Sequence, residues 1–183
     1  DVCHMCALLG SLLRHLSEKS LETGTLSLFA VAAEGRSARV RVCALNALIN
    51  TMQLKEGMNM LSGMQWLQML RKGPVQNEKD NTTETTNRFE QTLRLRTYGA
   101  LALAFEDEDL SVRLAAVKSS GVFAVAISKL TMKSHVRSAR RFVRAVSDVL
   151  TDIALYDSAD SVRVEALNTY SYMLRCTSID VCC

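Results

Sequence analysis

A short motif recurs three times in this chain of 183 residues, and it constrains the possible fold more than any other feature. Each copy has a Val-Arg pair followed, after two residues, by Ala and an aliphatic residue, at 40–45, 112–117 and 162–167. On an α-helix the Val and the Ala four residues later share one face, and the small Ala lets a neighbouring helix approach closely. The side chains predicted to be buried between helices are therefore Val40, Ala44, Val112, Ala116, Val162 and Ala166.

A polar or acidic break precedes each copy of the motif, with the sequences EGRSA, EDEDLS and YDSADS. Ser and acidic residues suit a helix N-terminus, where unpaired N–H groups and the helix dipole favour them. An apolar run precedes each break: LSLFAVAA, LRTYGALALAF and VRAVSDVLTDIAL. The repeating unit is thus helix, tight turn, helix, and we expect antiparallel pairs near residues 25–52, 90–129 and 137–175.

These units resemble HEAT repeats and the related armadillo repeats, in which an acidic residue shortly precedes a Val-Arg pair at the start of the second helix. The second copy matches best through Asp109, Val112 and Arg113, whereas the acid is Asp160 in the third copy and Ser37 takes its position in the first. The resemblance covers about two thirds of the chain, namely residues 20–53 and 90–176. It implies an all-α fold, an α-solenoid of stacked antiparallel helix pairs.

The spacing of the copies predicts extra chain between the first two. The copies begin 72 and 50 residues apart, whereas HEAT and armadillo repeats have a period of about 40–47 residues. Residues 55–72 have the pattern of an added amphipathic helix, and residues 73–87 carry no apolar side chain except Val75, which predicts a mobile polar loop. With a further N-terminal helix, we expect about eight helices in a single domain spanning 1–183.

Composition agrees with this fold. Apolar residues make up 48% of the chain and aromatic residues only 5%, so the core must be built from Leu, Val, Ala and Met, which suit close helix packing. The apolar runs are shorter than the roughly 20 residues of a membrane span, and no signal peptide is visible. Because the chain opens on Asp1, we expect a processed product or a segment of a longer protein.

Six cysteines give a low density for a disulfide-stapled domain, and the apolar content makes staples unnecessary. We therefore predict free thiols and an intracellular, reducing location, the cytoplasm or the nucleus. Cys3 and Cys6, with His4 and His15 nearby, suggest a zinc site, but structural zinc sites use four ligands, commonly two such pairs. Since only one pair is present and the remaining cysteines lie far along the chain, we predict no metal and no cofactor.

A segregation of charge marks the clearest candidate binding surface. Residues 110–147 contain no Asp or Glu but eight Lys and Arg. Five of them, which fall within an arc of about 100° on a helix, form what we call the basic stripe: Lys133, Arg137, Arg140, Arg141 and Arg144. The stripe could dock an acidic protein surface, a nucleic-acid backbone or a phospholipid surface, or it could be a solvated face whose charge is balanced by neighbours such as Asp148 and Asp152. The stripe has no interleaved aromatic side chains, which disfavours single-stranded nucleic acid.

A methionine-rich segment is a second, weaker candidate for partner binding. Its residues Met60, Met64 and Trp66 lie in the added helix, and Met side chains adapt to varied partners. Such a stripe is more often core filling than a binding surface, so both interpretations stay open.

Catalytic signatures are missing from the sequence. The three His residues belong to no HExxH motif or His-Glu dipeptide, and there is no GxSxG, GxxxxGK[ST] or GxGxxG motif. The acidic run 106–109 has carboxylates for a cation, but acids before a helix are more often a cap with solvated charge. The sequence therefore predicts a protein that is not an enzyme.

Three hypotheses for function remain, in order of preference. The first is a non-enzymatic helical-repeat scaffold that mediates protein–protein interaction within a larger assembly. The second is a nucleic-acid-binding α-solenoid that uses the basic stripe. The third is an enzyme on a HEAT-like frame, such as a glycosylase or hydroxylase, which the missing catalytic signatures disfavour.

Overall fold

The computed structural model describes residues 4, 8, 27–28, 30–52, 70, 99–129 and 133–177. Within these ranges the secondary structure is helix and turn, without a strand, which confirms the predicted all-α class for the described part of the chain. A helical segment at 30–34 precedes the first of five longer helices. These are α1 (Ala38–Met52), α2 (Ala100–Phe105), α3 (Leu110–Ser128), α4 (Lys133–Tyr156) and α5 (Asp160–Cys176).

Short polar turns join the helices at the predicted breaks. Residues 106–109 connect α2 to α3, and residues 157–159 connect α4 to α5. The carboxylate of Asp109 caps α3 by accepting a hydrogen bond of 2.8 Å from the backbone N–H of Ser111. Asp157 accepts a bond of the same length from the N–H of Ala159. Connections this short bring consecutive helices side by side, as predicted for helix–turn–helix units.

The central helix is α3, which lies between α1 and α5 and also contacts α2 and α4. Most of its length is buried, including Phe123. The two buried hydroxyls, Ser119 and Ser120, donate to carbonyl oxygens of their own helix, at 2.6 Å to Ala115 and 2.8 Å to Val117. These bonds satisfy polar groups that burial would otherwise leave without partners.

By length and composition, α3 could also cross a membrane, which differs from the expectation that every apolar run is too short. It has 19 residues and a mean hydropathy of 1.5 over the relevant stretch. However, 67% of that stretch is buried by the rest of the protein. A core helix of this kind meets the same criterion as a membrane span, so the absence of a span stays a prediction.

Burial of the repeated motif follows the prediction in five of six positions. Ala44, Val112, Ala116, Val162 and Ala166 are all fully buried. Val40 is the exception, since it is only half-buried, and the prediction was wrong there. It lies beside Gly35, which has no side chain to cover it.

A glycine marks the closest contact between α3 and α5. A Cβ atom added at Gly121 would lie 2.3 Å from Cγ2 of Thr169, far inside van der Waals contact. Gly121→Ala would gain about 1 kcal/mol of helix propensity but would force the two helices apart, and an overlap this deep puts the cost in the upper part of the usual range, at about 2–3 kcal/mol. We expect a net loss of stability of about 1–2 kcal/mol, measured by urea denaturation.

The control for this substitution is the double variant Gly121→Ala with Thr169→Ser, which removes the methyl group in the way. It should recover part of the lost stability. A single Gly121→Ala variant as stable as the native protein would contradict the close approach of α3 and α5.

Candidate functional site

The arginines of the repeated motif link consecutive turns of the fold. In the first copy, Nε and Nη2 of Arg41 donate to Oδ2 and Oδ1 of Asp107, at 2.6 and 2.8 Å. The third donor, Nη1, bonds the carbonyl oxygen of Gly35 at 2.8 Å. Arg41 therefore joins the turn before its own helix to the turn before α3.

The second copy repeats this arrangement one unit along the chain. Nε and Nη2 of Arg113 donate to the carboxylate of Asp157 at 3.1 and 3.4 Å, while Nη1 bonds the carbonyl oxygen of Asp107 at 2.8 Å. Each arginine thus bonds the carbonyl six residues before it and then reaches the Asp of the next turn. We call the four side chains Arg41, Asp107, Arg113 and Asp157 the arginine–aspartate ladder.

These pairs are more buried than ordinary surface ion pairs, so that removing one partner would leave a charge without its counter-charge. The side chains of Arg41 and Asp107 are only 14% and 11% exposed, and the geometry is bidentate, which is the most directional form of an Arg–carboxylate contact. The hydrogen bond to Asp107 raises the pKa of Arg41 further above its ordinary value. Burial acts to raise the pKa of Asp107, but the bonds from Arg41 and from the N–H of Asp109 outweigh it, so that this pKa is lowered.

The sequence assigned no acid to the arginines of the motif. Asp109 and Asp160 match the acidic position of the resemblance, whereas the arginines pair with Asp107 and Asp157 across the units. Asp109 caps α3, as predicted for acids at these breaks, and its bonds with Ser111 lower its pKa. The missed signal was the constant spacing: both ladder aspartates stand six residues before a motif arginine, and Gly35 holds that place in the first copy.

In the described structure, two residues of the acidic run 106–109 make contacts that stabilise the fold. Asp107 contacts Arg41, and Asp109 forms the helix cap that the sequence favoured over a cation site. Among the described residues, no group of three or more His, Cys, Asp or Glu is placed to hold a metal ion.

The basic stripe lies on the outer face of α4. Four of its five members have exposed side chains: Arg137, Arg140, Arg141 and Arg144. The opposite face of the helix is buried in the core through Ala139, Phe142, Val143, Val146 and Leu150. Lys133 begins the helix, and its side chain lies outside the described part. Arg144 also interacts with another group of the protein, which leaves the other three arginines as the clearest binding candidates.

The third motif arginine lies at the far end of the ladder. Nη1 of Arg163 bonds the carbonyl oxygen of Asp157 at 2.8 Å, in the same way as Arg41 and Arg113. Its Nη2 donates to Asp160, one turn away in α5, and this carboxylate is largely in solvent. Within the described ranges, no acid of another turn pairs with Arg163.

Apolar side chains are exposed on the same side of α5 as Arg163. Val164, Leu167 and Leu174 are all exposed, and at helical pitch they fall with Arg163 inside an arc of about 100°. We call these four residues the end face.

The other predicted sites are only partly described. His4 is exposed, and among the described cysteines Cys43 and Cys176 are free thiols. The rest of the suggested zinc cluster lies outside the described residues, as do Met60, Met64 and Trp66 and the predicted loop at 73–87.

Comparison of the chain with protein-family models, with curated proteins and with solved structures finds no match in any of the three.

Proposed function

We propose that the chain is a non-enzymatic helical-repeat scaffold, an α-solenoid in which stacked helix pairs bind protein partners within a larger assembly. The single observation that carries this proposal is the arginine–aspartate ladder, because it joins equivalent turns of successive units by the same bonds. The order α1, α3, α5 along the stack supports it, since α3 contacts both neighbours. Stacks of this kind present extended surfaces to partners.

The basic stripe is the proposed binding surface for a partner with acidic side chains. Phe142 and Val146 are buried on the opposite side of α4, so the helix holds the arginines of the stripe toward solvent. Residues 110–147 contain no acid, and the first acids along the rest of α4 are Asp148 and Asp152. An acidic partner would supply further counter-charge to the stripe. A duplex nucleic acid is negatively charged, as an acidic protein surface is. The experiment must therefore distinguish these two kinds of partner.

The test reverses charge on the stripe without touching Arg144. We expect Arg137→Glu, Arg140→Glu and Arg141→Glu together to weaken binding of a polyglutamate peptide by about tenfold or more at low salt. The loss should shrink as salt rises, because ions screen exposed charges. Each exposed substitution should change stability by no more than about 0.5 kcal/mol. Fluorescence anisotropy measures the binding, and urea denaturation checks the fold.

The control makes the same change of net charge elsewhere. Arg36, Lys129 and Arg175 are exposed and lie outside the stripe, so reversing these three to Glu should weaken peptide binding much less. Equal losses in the two variants would show a response to net charge and would contradict a defined site. Tighter binding of an RNA duplex than of the peptide, with a steeper salt dependence, would favour the nucleic-acid alternative.

A further inference from the structure

We infer that the outer face of α4 pairs with the same face of a second copy of this chain, with the two helices antiparallel about a two-fold axis near position 146. The inference rests on the proposed function, because it names a second copy as the partner that meets the basic stripe. The surface lies on α4 and is separate from the end face of α5.

The first argument is that the outer face of α4 carries opposite charges in its two halves. Arg137 and Arg141 are exposed in the first half, and Asp148 and Asp152 are exposed in the second. None of these four side chains takes part in an ion pair of the described structure. The like charges of each half stand four residues apart on the helix, a spacing at which they repel each other. Each half therefore lacks the charge that the other half carries.

The second argument is that the positions of these charges fit a two-fold axis. Arg141 lies five residues before position 146, and Asp148 and Asp152 lie two and six residues after it. In an antiparallel pair that crosses there, Arg141 of one copy lies between Asp148 and Asp152 of the other, within about 5 Å of each along the helix axis. At helical pitch the three side chains fall within an arc of about 40°, so they stand on the same flank of the contact.

An apolar residue gives the same register. Arg137 and Leu155 are 18 residues apart, which is about five helical turns, so they point in the same direction at the two ends of the face. Each lies nine residues from position 146, and the same axis therefore brings Arg137 of one copy onto Leu155 of the other. Leu155 is 63% exposed, and the stem of an arginine can cover apolar surface while its charged head stays in water.

Symmetry selects a second copy over other occupants. A covering segment of any other sequence, from this chain or from another protein, would need acids against Arg137 and Arg141 and cations against Asp148 and Asp152. A second copy presents both at the required spacing, because in a two-fold contact every pairing between residues occurs twice. A uniformly acidic partner that covered the whole face would instead be repelled by Asp148 and Asp152.

The test exchanges the charges of one pairing in the full chain. The contact is built around one helix and uses exposed ion pairs, which are individually weak. We therefore expect a dissociation constant of about 0.1–1 mM at low salt, measured by sedimentation equilibrium. Arg141→Glu and Asp152→Arg should each raise it by about tenfold, because each variant places like charges together twice in the dimer.

Rescue shows whether the two positions meet. An equimolar mixture of Arg141→Glu and Asp152→Arg should dimerise about as well as the native chain, since the two introduced charges then face each other and the two native ones do as well. Rescue also requires both variants to be folded. The matched control is Arg175→Glu, which makes the same change of charge at an exposed position of α5 and should leave the dissociation constant unchanged.

The native chain could stay monomeric at about 1 mM and low salt, which would overturn the inference. A dimer that both variants leave unchanged, or a mixture that associates no better than either variant alone, would overturn it as well. Failure of the proposed function gives a different result, in which the stripe variant binds polyglutamate as well as the native chain does. Asp152→Arg leaves the basic stripe intact, so it should lose self-association and keep its binding of the peptide.

Discussion

Replacing Arg113 with Met is expected to lower the free energy of unfolding by about 3–5 kcal/mol, as for removal of one partner from a buried ion pair. The carboxylate of Asp157 has a side-chain exposure of only 8%, and without Arg113 it would keep one bond, from the N–H of Ala159. The carbonyl oxygens of Asp107 and Glu108 would lose their donor as well. Urea denaturation followed by circular dichroism measures the loss.

The control and the coupling test use residues already described. Arg137→Met removes an arginine of the same size from the exposed face of α4, and it should change stability by less than about 0.5 kcal/mol. In a double-mutant cycle, adding Asp157→Asn to Arg113→Met should cost much less than Asp157→Asn costs alone. Fully additive losses would mean that the two side chains do not stabilise the fold as a pair.

Much of the fold followed from the sequence because the motif couples local and tertiary structure. Val112 and Val162 begin apolar helix faces, and small Ala residues four positions later permit close packing, so periodicity alone predicted their burial. The prediction was wrong at Val40, which is only half-buried. Val40 lies beside Gly35 in the turn before α1, and a helical pattern does not say how that turn packs.

Of the two candidate sites, one could be predicted from the sequence and the other could not. The basic stripe could be predicted, since the angular position of Arg137, Arg140 and Arg141 on α4 depends only on helical pitch. The ladder could not be assigned, because Arg41 and Asp107 are 66 residues apart and meet only when α1 and α3 pack together. Four acids stand side by side at 106–109, and the sequence predicted only that acids there would cap the helix, as Asp109 does.

The second large predicted effect is on stability, and it depends on pH. Asp107→Asn is expected to destabilise the protein by about 3 kcal/mol at neutral pH, because the substitution leaves the mostly buried guanidinium of Arg41 without a counter-charge. The pKa of Asp107 is lowered in the folded protein, so its charged form favours folding. That stability is fully present above the unfolded pKa of about 3.9 and is lost as the pH falls through the lower folded value.

The difference in stability between the native protein and Asp107→Asn should therefore be constant near neutral pH. It should shrink below about pH 5 and vanish once Asp107 is protonated in both states. Urea denaturation at a series of pH values measures it, and Glu108→Gln, which removes the charge of a neighbouring exposed acid, is the control for the loss of one negative charge. The free energies of unfolding of the native protein and of Asp107→Asn could instead stay the same distance apart down to strongly acidic pH. The charge of Asp107 would then not be what links α1 to the next turn, and the shape of its side chain would be.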